Sequence, residues 1–214
     1  QMGKVGEVLH IPLTIAPIAL VYNAPGAPDE LQMTGEVIAA IFHGEIARWD
    51  DRHLAALNPG VKLPAIPIKV TYRSDGSGTT KVFTEFLSRV SPAWKEQIGS
   101  KTSLTWPVGK GADGNRGVAL VVQREAGAIG YSSLSFARYH RLASARVLNR
   151  ANRHVAPTQD GATAAAAEAV TAAGDDLRPS MVDMEGDFSY PITAFSYIVT
   201  RLDVADVTRG RALA

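Results

Sequence analysis

A three-layer α/β domain with a mostly parallel sheet is the architecture this sequence predicts, and three observations predict it. Strand-like and helix-like stretches alternate along the chain. The run from Ile11 to Tyr22 is almost continuously apolar and β-branched, the pattern of a strand buried on both faces. Finally, the stretch Lys69-Val70-Thr71-Tyr72-Arg73-Ser74-Asp75-Gly76-Ser77-Gly78-Thr79-Thr80 reads as a strand that passes through glycines into a helix, the signature of a strand–turn–helix unit.

In chain order, Asn23 to Pro28 ends the first strand in a turn, and Val37, Ile38, Ala39, Ile41 and Phe42 predict a short helix closed by Gly44. Leu57-Asn58-Pro59-Gly60 is a turn signature. A strand follows over Ile66 to Tyr72, and a helix over 79–90, whose apolar face is Val82, Phe83, Phe86, Leu87 and Val90. Gly109, Gly111 and Gly114 match the G-x-G-x-x-G spacing of a dinucleotide loop. Pro107 spoils a central strand upstream and no acidic residue sits where a second strand would end, so a mobile glycine loop is the reading preferred here. Val118 to Arg124 predicts a buried helix stopped by Gly127, Ala128 to Tyr131 a core strand, Leu134 to His140 a helix and Arg146 to Leu148 a strand. The alanine-rich run Thr163 to Ala173 predicts a covering helix, Asp187 to Pro191 a loop, Phe195 to Val199 a strand, and Asp203 to Ala214 the start of a last helix.

Composition narrows the function classes. A formal net charge of +1 provides no field that would draw the chain to nucleic acid or to a membrane. Without cysteine there are no disulfides, thiolate metal sites or cysteine nucleophiles. No apolar run is long enough to cross a bilayer and the amino terminus lacks a charged-then-apolar leader, so an exported chain would have lost its leader or carry it outside this sequence. The five histidines, His10, His43, His53, His140 and His154, show no metal-ligand spacing and suit surface or capping positions. Asp50 and Asp51 suit a solvated, helix-flanking pair. Ser77 lies outside a G-x-S-x-G elbow, no lysine follows the glycines as a P-loop requires, and no nucleophile–base–orienter set is evident. An enzyme is therefore not expected, and no cofactor is implied.

The chemistry concentrates at the turn. A helix start offers unpaired N–H groups and the positive end of a dipole, Ser77, Thr79 and Thr80 add hydroxyls, and Arg73 adds a charged fork. That is a socket for a small oxyanion. Asp75 repels a fully ionised anion but can accept a hydrogen bond from one that keeps a proton, which hydrogen phosphate does near neutral pH and sulfate does not. The alternative is a plain strand-to-helix turn, with Ser77 or Thr79 capping the helix and Asp75 and Arg73 forming a surface pair.

The stretch Arg73 to Thr80, with Phe83-Thr84 and Leu87 after it, closely resembles the signature of the phosphate-binding proteins of phosphate-specific ABC transporters. Phe42 to Asp51, Leu57 to Gly60, Trp106 to Gly109, Gly114 to Val118, Gly127 to Tyr131 and Tyr190 to Ile192 resemble further blocks of that family in the family's order. The resemblance implies a periplasmic-binding-protein-like fold in which two lobes close on phosphate about a hinge. It implies one complete lobe here, a three-layer sandwich over 15–194, with 1–14 as a remnant of the first lobe and 195–214 as the returning hinge strand and a truncated first-lobe helix. Arg73 would be the charged ligand and Asp75 its orienting carboxylate. Ser77 and Thr79 would give hydroxyls, and the amides of Gly78 and Thr79 would face the anion, with Gly76 and Gly78 letting the backbone come close. The implied partners are inorganic phosphate, membrane permease subunits and a first-lobe segment or second chain, with no nucleic acid. The implied location is periplasmic or extracellular, associated with the cell envelope. The family's glycine-rich first-lobe loop, its serine ligand and its Ser-Asp-x-Pro-Leu block are not present in these residues. Reuse of the fold as a phosphate-sensing or adhesive surface protein is the second reading, and a phosphatase using the same socket a third.

Overall fold

The computed structural model describes residues 8–173 and 178–201. The elements, in order, are β1 (Val8–Tyr22), β2 (Gln32–Met33), α1 (Gly35–His43), α2 (Arg52–Leu57), β3 (Lys69–Arg73), α3 (Gly78–Val90), α4 (Pro92–Gln97), β4 (Lys110–Ala112), α5 (Gly114–Arg124), β5 (Ala128–Ser133), α6 (Leu134–Tyr139), β6 (Ala143–Ser144), β7 (Arg146–Leu148), β8 (His154–Val155), α7 (Gln159–Ala173) and β9 (Thr193–Arg201). The main sheet has the order β4-β3-β5-β1-β6, with β9 paired to β1, while β2, β7 and β8 form a small second sheet.

Alternation along β1 and β5 builds the three layers. Ile18, Leu20 and Tyr22 of β1, with Ile129 and Tyr131 of β5, point into a core filled by Ile38 and Phe42 of α1, Phe83, Phe86 and Leu87 of α3, and Trp94 of α4. Ala19, Val21 and Ala128 point the other way, onto Val118 and Val122 of α5 and Ala137 of α6. Successive strand side chains alternate faces, so a strand covered by helices on both sides must be apolar at every position. That accounts for Ile18 to Tyr22, where no residue is more than 2% exposed. It does not hold for the amino-terminal half of β1, where Leu13 is 65% exposed. There β1 leaves the layered body as a ribbon with β9, covered in part by α7 through Ala166 and Ala169 against Ile15 and Phe195. Pro12 cannot donate to the ladder, and the register slips between Pro12 and Thr14.

The sheet is mixed: β1 alone runs against the other strands, a single reversal in the mostly parallel sheet that the sequence predicts. β3 is parallel to β4 and to β5, but β1 is antiparallel to β5, β6 and β9. Strands of one direction need a helical crossover between them, and β3-α3/α4-β4, β4-α5-β5 and β5-α6-β6 supply it within this sheet. β1 and β9 come from opposite ends of the described chain and pair directly.

Three further differences have local causes. Residues 110–112 are not a loop but the edge strand β4, the position in a sheet that tolerates the upstream Pro107. Gly109 and Gly111 serve close approach to β3: at Gly109 φ is +97°, and a Cβ would meet the Val70 carbonyl oxygen at 2.4 Å. α5 ends at Arg124, before Gly127, whose backbone passes against Pro67. α2 and α4 were not expected; each is a single short segment opened by a side-chain cap, Asp51 and Ser91 respectively. Asp51 as a cap and Asp50 paired to Arg48 fit the solvated-pair reading. The expected helix over 203–214 lies outside the described residues.

Gly109→Ala is expected to lower stability by about 2–4 kcal/mol, strain and clash together. Gly60→Ala, at φ +81° with open space around it, is expected to lose only about 1–2 kcal/mol. Urea midpoints of the two variants measure the difference.

Candidate functional site: a strand-end glycine turn

The three parallel strands all release their chain at one end of the sheet. There β3 leads through residues 74–77 into α3, β4 leads through Asp113 into α5, and β5 runs directly into α6. Carboxyl ends of parallel strands in an open α/β sheet are where such folds bind ligands, because helix N-termini gather there.

Ser77 is the N-cap of α3, extended at φ −143° and ψ 133°, and its Oγ accepts from the amides of Thr79 (3.1 Å) and Thr80 (3.4 Å). Its own amide donates to the Thr102 carbonyl at 2.9 Å, which ties the turn to the following loop. Gly76 and Gly78 are exposed, with nothing within 4 Å of where a Cβ would stand. The turn is therefore an open face on which a ligand can touch backbone. Thr79 is half-buried and Thr80 fully buried.

Arg73, the last residue of β3, folds its guanidinium back onto Asp75. Nε donates to Oδ1 at 2.6 Å and Nη2 donates to Oδ2. The Arg73 side chain is 10% exposed. The Asp75 side chain is 34% exposed, and the two-point fork fixes the guanidinium plane; the Ser77 cap and this pair are features of the plain-turn reading as well. A guanidinium has five N–H donors, so the fork leaves Nη1 for another acceptor. Asp75 is also held by the Gly114 amide at the start of α5, which donates to Oδ1 at 3.2 Å. The Arg73 fork first, and the Gly114 amide after it, hold the Asp75 carboxyl well below the usual carboxylate range, while the same fork raises Arg73.

Two groups that the sequence does not single out complete the arrangement. The Tyr131 hydroxyl of β5 accepts from the Arg73 amide at 3.2 Å and shares a hydrogen with Thr80 Oγ1 at 2.7 Å. Asn115, in the first turn of α5, accepts the Ser133 amide through Oδ1 at 3.2 Å. The ends of β3, β5 and α5 are thus cross-linked through side chains. The available signal was modest: a tyrosine closing an apolar strand, and a glycine–asparagine pair at a helix start. Of the expected site residues, Arg73, Asp75, Gly76, Ser77, Gly78 and Thr79 all lie on this one turn. One expected role is altered: the Thr79 amide is engaged by Ser77 Oγ. Among the described residues no cluster of His, Asp or Glu could hold a metal ion, and no helix is long and apolar enough to cross a membrane.

The Asp75 shift has a sign that can be tested. A carboxylate depressed by folding contributes stability above its unfolded pKa, near 3.8, and loses that contribution as pH falls below it. Carboxyl NMR titration is expected to show Asp75 ionised well below the ordinary range, and Arg73→Ala is expected to return it toward that range.

A model described as the PBP superfamily domain matches residues 1–210. The phosphate-binding protein PstS of Pasteurella multocida (strain Pm70) is 40% identical over 194 residues, covering 90% of this chain and 56% of that protein. The phosphate-binding protein PstS of Xylella fastidiosa (strain 9a5c) is 38% identical over 185 residues, covering 86% of this chain and 51% of its own length. The chain therefore spans about half the length of the curated relatives it matches. Among solved structures, a human phosphate-binding apolipoprotein superposes with a TM-score of 0.69 at 23% identity, over 97% of this chain and 63% of that one. A high-affinity periplasmic phosphate-binding protein, PfluDING, solved with phosphate bound, gives 0.66 at 20% identity, over 97% and 61%. These likenesses carry the fold, and the match from residue 1 to residue 210 carries the family: the chain belongs to the PBP superfamily.

Proposed function

We propose that this chain binds inorganic phosphate on the turn 73–79, as part of the substrate-capturing component of a phosphate import system. The observation that carries the reading is the Arg73–Asp75 fork beside an open glycine turn at the N-terminus of α3. Nη1 of Arg73, the Ser77 and Thr79 hydroxyls and the Gly78 amide supply donors for a tetrahedral oxyanion. Asp75 stays ionised, so it accepts a hydrogen bond from the proton of hydrogen phosphate and repels sulfate, which has no proton to donate. The names of the relatives support the same ligand. Binding without chemistry fits a turn with no base beside Ser77, and the protein is read as a binding protein rather than an enzyme. A periplasmic or extracellular location and docking to membrane permease subunits follow from the transport role.

The donors proposed for the anion all come from the turn 73–79. The relatives' remaining length is the source we assign to donors on the opposite side of the anion, brought up by hinge closure. Two or more absent charge-assisted hydrogen bonds, each about 1.5–3 kcal/mol, correspond to about a hundredfold or more in affinity.

Calorimetric titration with phosphate tests the reading. The 214-residue chain is expected to bind at least about a hundredfold more weakly than a chain extended by the relatives' unmatched segment; equal affinities would defeat the half-site argument. Arg73→Ala is expected to abolish binding. Asp75→Asn is expected to admit sulfate, and continued absence of sulfate binding would remove Asp75 from the selectivity argument. Hydrolysis of a chromogenic phosphate ester by the wild-type chain would overturn the non-enzymatic reading.

A further inference from the structure

We propose that Tyr131 is a positioning residue for the anion socket, its hydroxyl fixing the distance between the end of β3 and the start of α3. The inference rests on the phosphate reading of the turn and adds to it a residue that touches no ligand.

One phenol oxygen holds both ends of the turn: it accepts from the Arg73 amide at 3.2 Å and meets Thr80 Oγ1 at 2.7 Å. Between those two points lie all the other residues assigned to the anion. The phenol is itself immobile. Its strand is paired to β3 in the register Val70↔Ile129 and Thr71↔Gly130. Its ring stacks on Phe83 (4.4 Å, 16°) and on Trp106 (5.7 Å, 27°), and leans on Phe42 at 6.2 Å. Phe83 belongs to α3, so the same side chain grips that helix through its ring and through its hydroxyl. Burial pushes the phenol's pKa up, which keeps its proton available for Thr80 while its lone pairs take the Arg73 amide.

Removing the hydroxyl leaves the stack in place and takes the partner from two groups, the part-buried Arg73 N–H and the buried Thr80 Oγ1. The turn relaxes to find other partners for them, and the Arg73 fork moves with its backbone. Donors aimed at one point lose affinity through such shifts even though no donor is lost.

A second buried tyrosine separates positioning from stability. Tyr22 sits at the other end of the same sheet region, opposite Ile129 at the entry to β5. It too accepts a backbone amide, from Leu31 at 2.9 Å, and donates to a carbonyl, that of Pro28. Tyr22→Phe removes an equivalent bond far from the socket.

The experiment compares the wild-type 214-residue chain, Tyr131→Phe and Tyr22→Phe by calorimetric titration with inorganic phosphate, by urea unfolding and by amide hydrogen exchange. Tyr131→Phe is expected to bind phosphate about tenfold more weakly, and Tyr22→Phe within about twofold of wild type, at similar losses of stability. Exchange across 73–80 is expected to quicken in Tyr131→Phe alone. Thr80→Val, which removes the other half of the bond, stands in if Tyr131→Phe does not fold, and Thr80→Ser is expected to keep wild-type affinity. Unchanged phosphate affinity in Tyr131→Phe, or equal losses in both tyrosine variants, overturns the proposal. No phosphate binding by the wild-type chain overturns the proposed function instead. The exchange arm then decides on its own whether Tyr131 holds the turn, and unchanged exchange overturns it.

Discussion

Strand β3 is hydrogen-bonded in parallel on both of its edges, to β4 and to β5. Parallel neighbours must be joined by crossovers, so α3 with α4 and α5 lie between these strands in sequence, and α3 and α5 begin at the same end of the sheet. Everything distinctive about the site follows from that constraint. The Gly114 amide can reach Asp75 because α5 starts beside the turn that starts α3. Tyr131 can reach Arg73 and Thr80 because β5 ends beside β3. β1, the one reversed strand, closes the sheet without adding a helix start to that end.

Charge at the socket is balanced by geometry rather than by number. A carboxylate next to an anion site is unfavourable in isolation. Here its charge is met by the Arg73 fork and by the N-terminal amide of α5, so it stays ionised at little penalty. Arg73 is in turn raised by the same fork, which fixes the sign and orientation of both groups. On the proposed function, the pair then acts as a single dipolar unit, attractive to an oxyanion and selective for one that carries a proton.

The aromatic cluster beneath the socket links its precision to the core. Tyr72 stacks on Trp106 at 5.0 Å, Trp106 stacks on Tyr131, and Tyr131 stacks on Phe83. Rings packed this way have few rotameric alternatives, so the hydroxyl they carry is held where the turn needs it. Trp106 comes from the loop before β4, so a segment outside the site's own elements contributes to its rigidity.

Local residue pattern was sufficient for the turn itself and for most elements. Lys69 to Val90 is legible as strand, turn and helix because each decision there is local: β-branched residues, then glycines, then Ser77 as a cap and an apolar face at 3.6-residue spacing. α1 with Gly44 at its end and the core strand Ala128 to Tyr131 are legible for the same reason. What the residue order could not carry was pairing between distant segments. Strand direction in the sheet depends on which segments meet, so the mixed sheet and the antiparallel placement of β1 emerge only from the fold. The glycines 109–111 read as a loop because their service, close approach to Val70 and Ser74, lies nearly 40 positions away in the chain. Tyr131 and Gly114 joined the site by the same route, 58 and 39 residues from their partners at Arg73 and Asp75. The sequence alone determined a glycine turn that carries Arg73, Asp75 and hydroxyls into a helix start; tertiary structure decided how those groups are held, because the bonds that hold them cross from one strand to another.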